Sequence, residues 1–301
     1  MTSFSVASLG SGSGGNAFLV ESGDSRLLVD AGFSGRQLRL RLERLSVDPE
    51  SIGVVVVTHE HRDHTAGIGV GARRWGWTLA MTSGTRRRAA PLLRGGERLR
   101  ELDGRAVRVG SLTVEPVSTC HDAAQPVAIV IRQERTGLKL GIATDLGRAT
   151  QPVRSALGDC AFLVLEANHD ERLLREGPYP WGVKQRIGGS RGHLSNRLAA
   201  DLARELAHPG LGGILLAHLS TECNDPSLAA DRVAEGLLPT RYEGLLATAP
   251  QDDPTERFHI EELARRRAGP QLSLFDGAGG RDPRGAAGSR AARAPEAPAA
   301  S

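Results

Sequence analysis

The sequence predicts an α/β fold of two sheets covered by helices, followed by a disordered tail. Three observations carry that expectation. Short runs of β-branched and aliphatic residues recur in both halves of the chain, with leucines at helical spacing between them. Histidines and carboxylates stand where several of those runs end. Beyond about Glu261 the composition shifts to Gly, Ala, Pro and Arg, which cannot bury enough apolar surface to offset the entropy of an ordered chain.

Taken in order, Phe4–Leu9 alternates as a strand does. The segment Gly10-Ser11-Gly12-Ser13-Gly14-Gly15-Asn16 breaks it, and Ala17–Glu21 resumes as a second strand. Ser25–Asp30 is a third, ending on an acidic residue before Ala31-Gly32. Leu38, Leu42 and Leu45 predict a helix over Ser34–Leu45. Ile52–Val57 is unbroken, as in a strand buried on both faces. Further strands are expected at Val107–Val109, Leu112–Val117, Val127–Arg132, Lys139–Thr144, Phe162–Glu166 and Gly213–Ala217. Leu198, Leu202 and Leu206 place a helix over Asn196–Ala207, capped by Ser195 or Asn196, and Pro226–Gly236 reads as another. No repeat with a period of 20–50 residues is present.

The 301 residues are 40% hydrophobic and 24% charged, enough for a substantial core. Aromatics make up only 4%, so that core must rest on Leu, Val, Ile and Ala. A net charge of +3 is compatible with a polyanionic partner without demonstrating one. Cys120, Cys160 and Cys223 are far apart and form no CxxC pair, which argues against a disulfide scaffold or a cysteine zinc site. The N-terminus lacks the basic and apolar regions of a signal peptide, and no apolar stretch is long enough to span a bilayer. A cytoplasmic protein is expected.

The most informative segment is His59-x-His61-x-Asp63-His64, directly after Val54-Val55-Val56-Val57. A turn leaving a strand can aim alternate side chains into one pocket. His59 and His61 can therefore share one metal, while Asp63 and His64 serve a second a few Å away. Imidazole and carboxylate donors suit zinc, and also manganese or iron.

This HxHxDH pattern resembles the signature of the metallo-β-lactamase superfamily, and the resemblance covers residues 3 to 246. It implies a four-layer αββα sandwich. Asp30, ending an early strand, matches the residue that orients the site from behind its ligands. His121, Asp145 and His218, each at an expected strand end, match the remaining ligands. The implied first metal takes His59, His61, His121 and Asp145; the second takes Asp63, His64, Asp145 and His218. The implied cofactors are two divalent ions, Zn²⁺ or Mn²⁺, with a hydroxide as nucleophile and Asp63 among the catalytic groups.

The ending Ala217-His218-Leu219-Ser220 is similar to phosphodiesterase members such as tRNase Z. His193, in Gly192-His193-Leu194-Ser195-Asn196, looks like the extra histidine that protonates a leaving alkoxide. The run Leu165-Glu166-Ala167-Asn168-His169-Asp170, with Tyr179-Pro180, Lys184, Arg186 and the Gly10–Asn16 loop, resembles the YycJ/WalJ-type metallohydrolases. That group implies a 5′ to 3′ DNA exonuclease acting in replication or mismatch repair. Ser13 and Asn16 are candidate phosphate contacts through the loop, or the loop is a flexible hairpin connection. Lys184 and Arg186 are candidate contacts to the nucleic-acid backbone. His169 receives no role.

Residues 1–260 are thus expected to form the hydrolase domain and 261–301 the tail. One apolar island interrupts the tail: Gln271-Leu272-Ser273-Leu274-Phe275 resembles the peptide by which bacterial DNA-processing proteins bind the replication sliding clamp. Leu272, Leu274 and Phe275 would enter an apolar pocket and Gln271 would anchor the peptide. Such a partner favours DNA over RNA. The rival readings are an RNA-processing nuclease of tRNase Z type, a small-molecule phosphodiester or thioester hydrolase, and a non-catalytic clamp-bound adaptor.

Overall fold

The computed structural model describes residues 3–268. Its first sheet contains β1 (Phe4–Gly10), β2 (Ala17–Ser22), β3 (Ser25–Val29), β4 (Val54–Val56), β5 (Thr78–Met81) and β6 (Leu99–Glu101), side by side in that order. Its second contains β7 (Val107–Val109), β8 (Leu112–Ser118), β9 (Val127–Gln133), β10 (Lys139–Ala143), β11 (Phe162–Glu166), β12 (Gly213–Ala217) and β13 (Leu245–Thr248), again in sequence order. β14 (Phe258–His259) returns to the first sheet and pairs antiparallel with β1.

Strand alternation builds the layers. Phe18, Val20, Leu27 and Val29 point toward the second sheet and pack with Ile129, Ile131, Leu140, Ile142, Phe162 and Val164. Their neighbours Leu19 and Leu28 point outward, onto Leu38 and Leu42 of α1 (Gly35–Arg44). After the short α2 (Arg62–Thr65), α3 (Ile68–Trp75) lays Ile68 on the same outer layer. The turn after β5 carries α4 (Ser83–Ala89). On the far side, α5 (Gln151–Leu157) precedes β11, and α6 (Glu171–Glu176) and α7 (Trp181–Ile187) follow it. There α8 (Asn196–Leu206) and α9 (Pro226–Leu237) cover Leu163, Leu165 and Ile214 with Leu202, Leu206 and Val233. Both sheets are sealed on both faces, which gives the αββα sandwich. Each fully buried aliphatic side chain contributes about 1.5–3 kcal/mol.

Strand direction places the site. β3, β4, β5 and β6 run parallel, as do β10, β11, β12 and β13. β8 points the same way as β10, because both are antiparallel to β9. The residues that follow β3, β4, β8, β10, β11 and β12 therefore leave at carboxyl ends of like-directed strands, where open α/β sheets bind ligands.

Two sequence expectations change. The strand expected at 52–57 is paired only over Val54–Val56, because Ile52 closes the 3₁₀ turn Pro49–Ser51. Residues 261–268, expected in the disordered tail, belong to a helix, α10 (Ile260–Ala268). Ile260, Leu263 and Ala264 recur at helical spacing and pack on the inter-sheet core, while Glu261 accepts from Arg135. The peptide Gln271–Phe275 lies outside the described residues. All three cysteines are free, and burial pushes the Cys160 thiol up to about 12. No helix among the described residues is long and apolar enough to cross a membrane.

Candidate metal centre

The turn after β4 carries the HxHxDH residues, and Asp30 stands behind them. Its carboxylate accepts from the Thr58 backbone N–H and hydroxyl, both at 2.8 Å, and from His64 Nδ1–H at 2.8 Å. The hydroxyl proton of Thr58 is thereby committed, so Thr58 Oγ1 accepts from His59 Nδ1–H at 3.0 Å. The network orients both rings and turns Nε2 of His59 and His64 into the site. Asp30, Asp145 and His218 all sit just past strand ends with φ near +60°, a region non-glycine residues seldom occupy. The left-handed step turns each side chain out of its strand toward the site. Non-glycine strain of this kind collects at functional sites.

The second sheet supplies the remaining groups from separate loops. His121 donates through Nδ1 to the carbonyl of Gly192 at 3.0 Å, and its Nε2 lies 3.3 Å from His61 Nδ1 and 3.5 Å from Asp145 Oδ1. Asp145 also stands 4.0 Å from His59 Nε2 and 3.1 Å from His64 Nε2. Asp63 Oδ2 is 3.3 Å from both His64 Nε2 and His218 Nε2. The seven side chains lie together: His59, His61 and His121 form one group, Asp63, His64 and His218 another, and Asp145 groups with His59 and His64 and again with Glu166, His193 and His218.

Sequence reasoning gave no role to Glu166, at the end of β11. It is fully buried, and one carboxylate oxygen accepts from His193 Nδ1–H at 2.8 Å and from His218 Nδ1–H at 2.9 Å. The other accepts from the backbone N–H groups of Leu146 and Leu194, so this one residue ties the β10, α8 and β12 loops together. The signal was available: a charged residue closes an otherwise apolar strand, as Asp30 and Asp145 follow β3 and β10. Asn168 adds a bond from its side-chain amide to the carbonyl of His218.

The donor set fits cations. Ligands ~2.1 Å from a tetrahedral ion stand ~3.4 Å apart, and the spacings above bracket that value. His59 Nε2 is buried with no hydrogen-bonding partner among the described residues. His64 Nε2 faces the carboxylates of Asp63 and Asp145 at 3.3 and 3.1 Å. Burial works against charge on His64, yet Asp145 and Asp30 raise its pKa well above the ordinary value. His218 rises to about 10 against its own burial, mainly through Asp145. Burial drives His59 the other way, well down. Glu166 is held down to about 2, its burial outweighed by His193 and His218. The carboxylates therefore draw positive charge into the cluster, a demand that divalent cations meet directly.

A cavity of about 370 Å³ opens on this cluster, lined by Ser13, His61, Asp63, Asp145, Arg186, His193 and His218 among others. Ser13 and Arg186 thus reach the site, although Arg186 also donates to Asp122 at 2.9 Å. Asn16 is fully buried, and its amide nitrogen lies 3.4 Å from Asp63 Oδ2 and 3.3 Å from His64 Nε2. Its oxygen accepts from Ser11 Oγ and the Gly12 N–H, and its amide nitrogen donates to the Gly12 carbonyl. It braces the loop against Asp63 and His64. The loop itself is tied down rather than flexible, since Asn16 N–H donates to the Asp63 carbonyl at 2.7 Å. At Gly32, beside it, any Cβ would collide with that same carbonyl. Lys184 lies outside this cavity and donates to the Arg175 carbonyl.

Residues 10–149 match the metallo-beta-lactamase superfamily. Over 235 residues the chain is 32% identical to exodeoxyribonuclease WalJ of Streptococcus pneumoniae, covering 75% of this chain and 85% of the relative. The chain belongs to the WalJ/YycJ-type branch of the metallo-β-lactamase superfamily. Exodeoxyribonuclease YycJ of Bacillus anthracis is likewise 32% identical, over 78% of this chain and 88% of the relative. Among solved structures, the metallo-β-lactamase fold protein YhfI of Bacillus subtilis superposes with a TM-score of 0.62 at 19% identity, over 85% of this chain and all of its own. The short form of human tRNase Z gives 0.58 at 16%, over 84% and 98%. These two establish the shared fold. As a member of this branch the protein is a metallo-hydrolase, and its His/Asp cluster can bind divalent metal.

Proposed function

We propose that this metallo-β-lactamase-fold protein is a dinuclear metal-dependent phosphodiesterase, a DNA exonuclease working 5′ to 3′ in the cytoplasm in replication or mismatch repair. The observation that carries this reading is the placement of His193 on the wall of the metal cavity, held by Glu166. Two ions, Zn²⁺ or Mn²⁺, would be held by His59, His61, His121 and Asp145, and by Asp63, His64, Asp145 and His218. The chemistry they supply is activation of water and neutralisation of charge on phosphoryl oxygens.

The protein's own share is positional and protonic. Glu166 fixes the His193 proton on Nδ1, so Nε2 is the atom that exchanges one. An alkoxide is a poor leaving group, and a protonated Nε2 beside it donates the proton as the P–O bond breaks. The electron pair goes to the leaving oxygen, and the water oxygen takes its place on phosphorus. Asp30, Glu166 and the Gly192 carbonyl keep the ligand imidazoles aimed, so little reorganisation accompanies reaction. Ser13 and Arg186 border the phosphate position. The DNA preference is supported by the names of the relatives. It is supported also by the tail peptide Gln271–Phe275, through which a sliding clamp would raise the local enzyme concentration.

The test offers duplex DNA labelled at either end, single-stranded RNA and bis-p-nitrophenyl phosphate to the protein with Mn²⁺ or Zn²⁺. Release of labelled mononucleotide from the 5′ end first is expected. Cleavage of RNA but not DNA, or of the chromogenic ester alone, would overturn the DNA reading. A peptide of residues 268–278 should bind purified clamp in fluorescence anisotropy, and its failure to do so would remove that partner.

A further inference from the structure

The metal cavity does not end at His193. That side chain also lines a second recess of about 560 Å³, together with His169, Glu171, Arg175, Trp181, Lys184 and Arg197. His193 is the residue the two spaces share. The volume lies within the ~300–1,000 Å³ of sites that hold small organic ligands.

The walls have a particular chemistry. Trp181, the first residue of α7, is 69% exposed, while Trp75 and Trp77 are buried in the core. An indole face left in solvent beside an active site is a platform on which a base can stack. Arg175, Lys184 and Arg197 bring three cations to the recess, whose one lining carboxylate is Glu171; Arg197 pairs with Glu171 and Asp201, Arg175 with Glu176, and Lys184 donates to the Arg175 carbonyl. His169 is buried in the wall, and its Nδ1 has no hydrogen-bonding partner among the described residues.

We propose that this recess receives the nucleotide that departs with the leaving oxygen. The inference rests on the phosphodiesterase reading, because a proton donor must stand beside the oxygen it protonates. The sugar bearing that oxygen is then next to His193, and the space beyond it is the recess. Its base stacks on Trp181. Its outer phosphate meets Lys184, Arg175 and Arg197, by charge alone and without regard to sequence. For a strand consumed from its 5′ end, the departing group is the terminal nucleotide leaving through its 3′-oxygen. Lys184, which sits off the metal cavity, thereby regains a role toward phosphate.

Two measurements test this on the full-length protein. Titration with deoxyadenosine 5′-monophosphate should quench tryptophan fluorescence saturably, and inorganic phosphate should not; Lys184→Ala with Arg197→Ala should weaken the nucleotide effect. Trp181→Ala should raise KM for DNA about tenfold more than KM for bis-p-nitrophenyl phosphate, which is too small to span both spaces. Absence of nucleotide quenching, or equal shifts of KM on the two substrates, would overturn the proposal. Nucleotide quenching in a protein that cleaves the ester but no DNA would leave the recess standing and defeat the exonuclease reading instead.

Discussion

The two sheets contribute to the metal centre in different ways. The first delivers His59, His61, Asp63 and His64 within one turn after β4, with Asp30 and Thr58 directly behind them. The second delivers His121, Asp145, Glu166, His193 and His218 singly, from the ends of different strands and loops. The first half-site is set by local chain geometry. The other depends on tertiary structure, and Glu166 is where its loops are joined. A site divided in this way predicts that the two halves fail differently.

The largest effect should follow loss of the group that spans both halves. Asp145→Ala should lower kcat by at least ~10³-fold, beyond the ~10²–10³ that one pre-organised electrostatic contact is worth, and should lower metal content measured by plasma mass spectrometry. His193→Ala should cost ~10²–10⁴-fold on DNA, the range of a general acid. It should cost far less on bis-p-nitrophenyl phosphate, whose leaving group needs no proton; equal losses would mean that His193 acts only structurally. Asp30→Asn and Glu166→Gln set the halves against each other. Each should weaken metal affinity ~10–100-fold by releasing ligand imidazoles. Only Glu166→Gln should add a further loss specific to DNA, because it also frees His193. Smallest is Ser195→Ala, which removes the acceptor for the Leu198 N–H at the start of α8. It should lower stability by about 1 kcal/mol in urea unfolding and leave metal content intact.

The same contrast explains what the sequence reveals. The HxHxDH turn is legible because its chemistry is contiguous, and β1, β8 and β9 because each has seven residues over which a strand pattern can show. His121, Asp145 and His218 become legible through family resemblance, each sitting just past a strand end. Glu166 stays hidden because its partners are distant in sequence: 27 residues to His193 and 52 to His218. The elements between residues 66 and 106 escape for another reason. β5 has four residues and β6 three, with Arg100 and Glu101 exposed, so neither offers a periodic signal. In α10 the run Arg265-Arg266-Arg267 masks the buried Ile260 and the partly buried Leu263 and Ala264. Asn16 shows in the sequence only as a polar residue in a glycine-rich loop, whereas in the fold its amide serves the loop's own backbone and also abuts Asp63 and His64.

The proposal under test is that seven side chains from both sheets would hold a pair of divalent cations, with Asp145 serving both. Anomalous diffraction at the zinc or manganese edge from metal-loaded crystals tests it most directly. Two peaks ~3.5–4 Å apart are predicted, one among His59, His61 and His121, the other among Asp63, His64 and His218, both within bonding distance of Asp145. A single peak, or peaks lying away from Asp145, would contradict it.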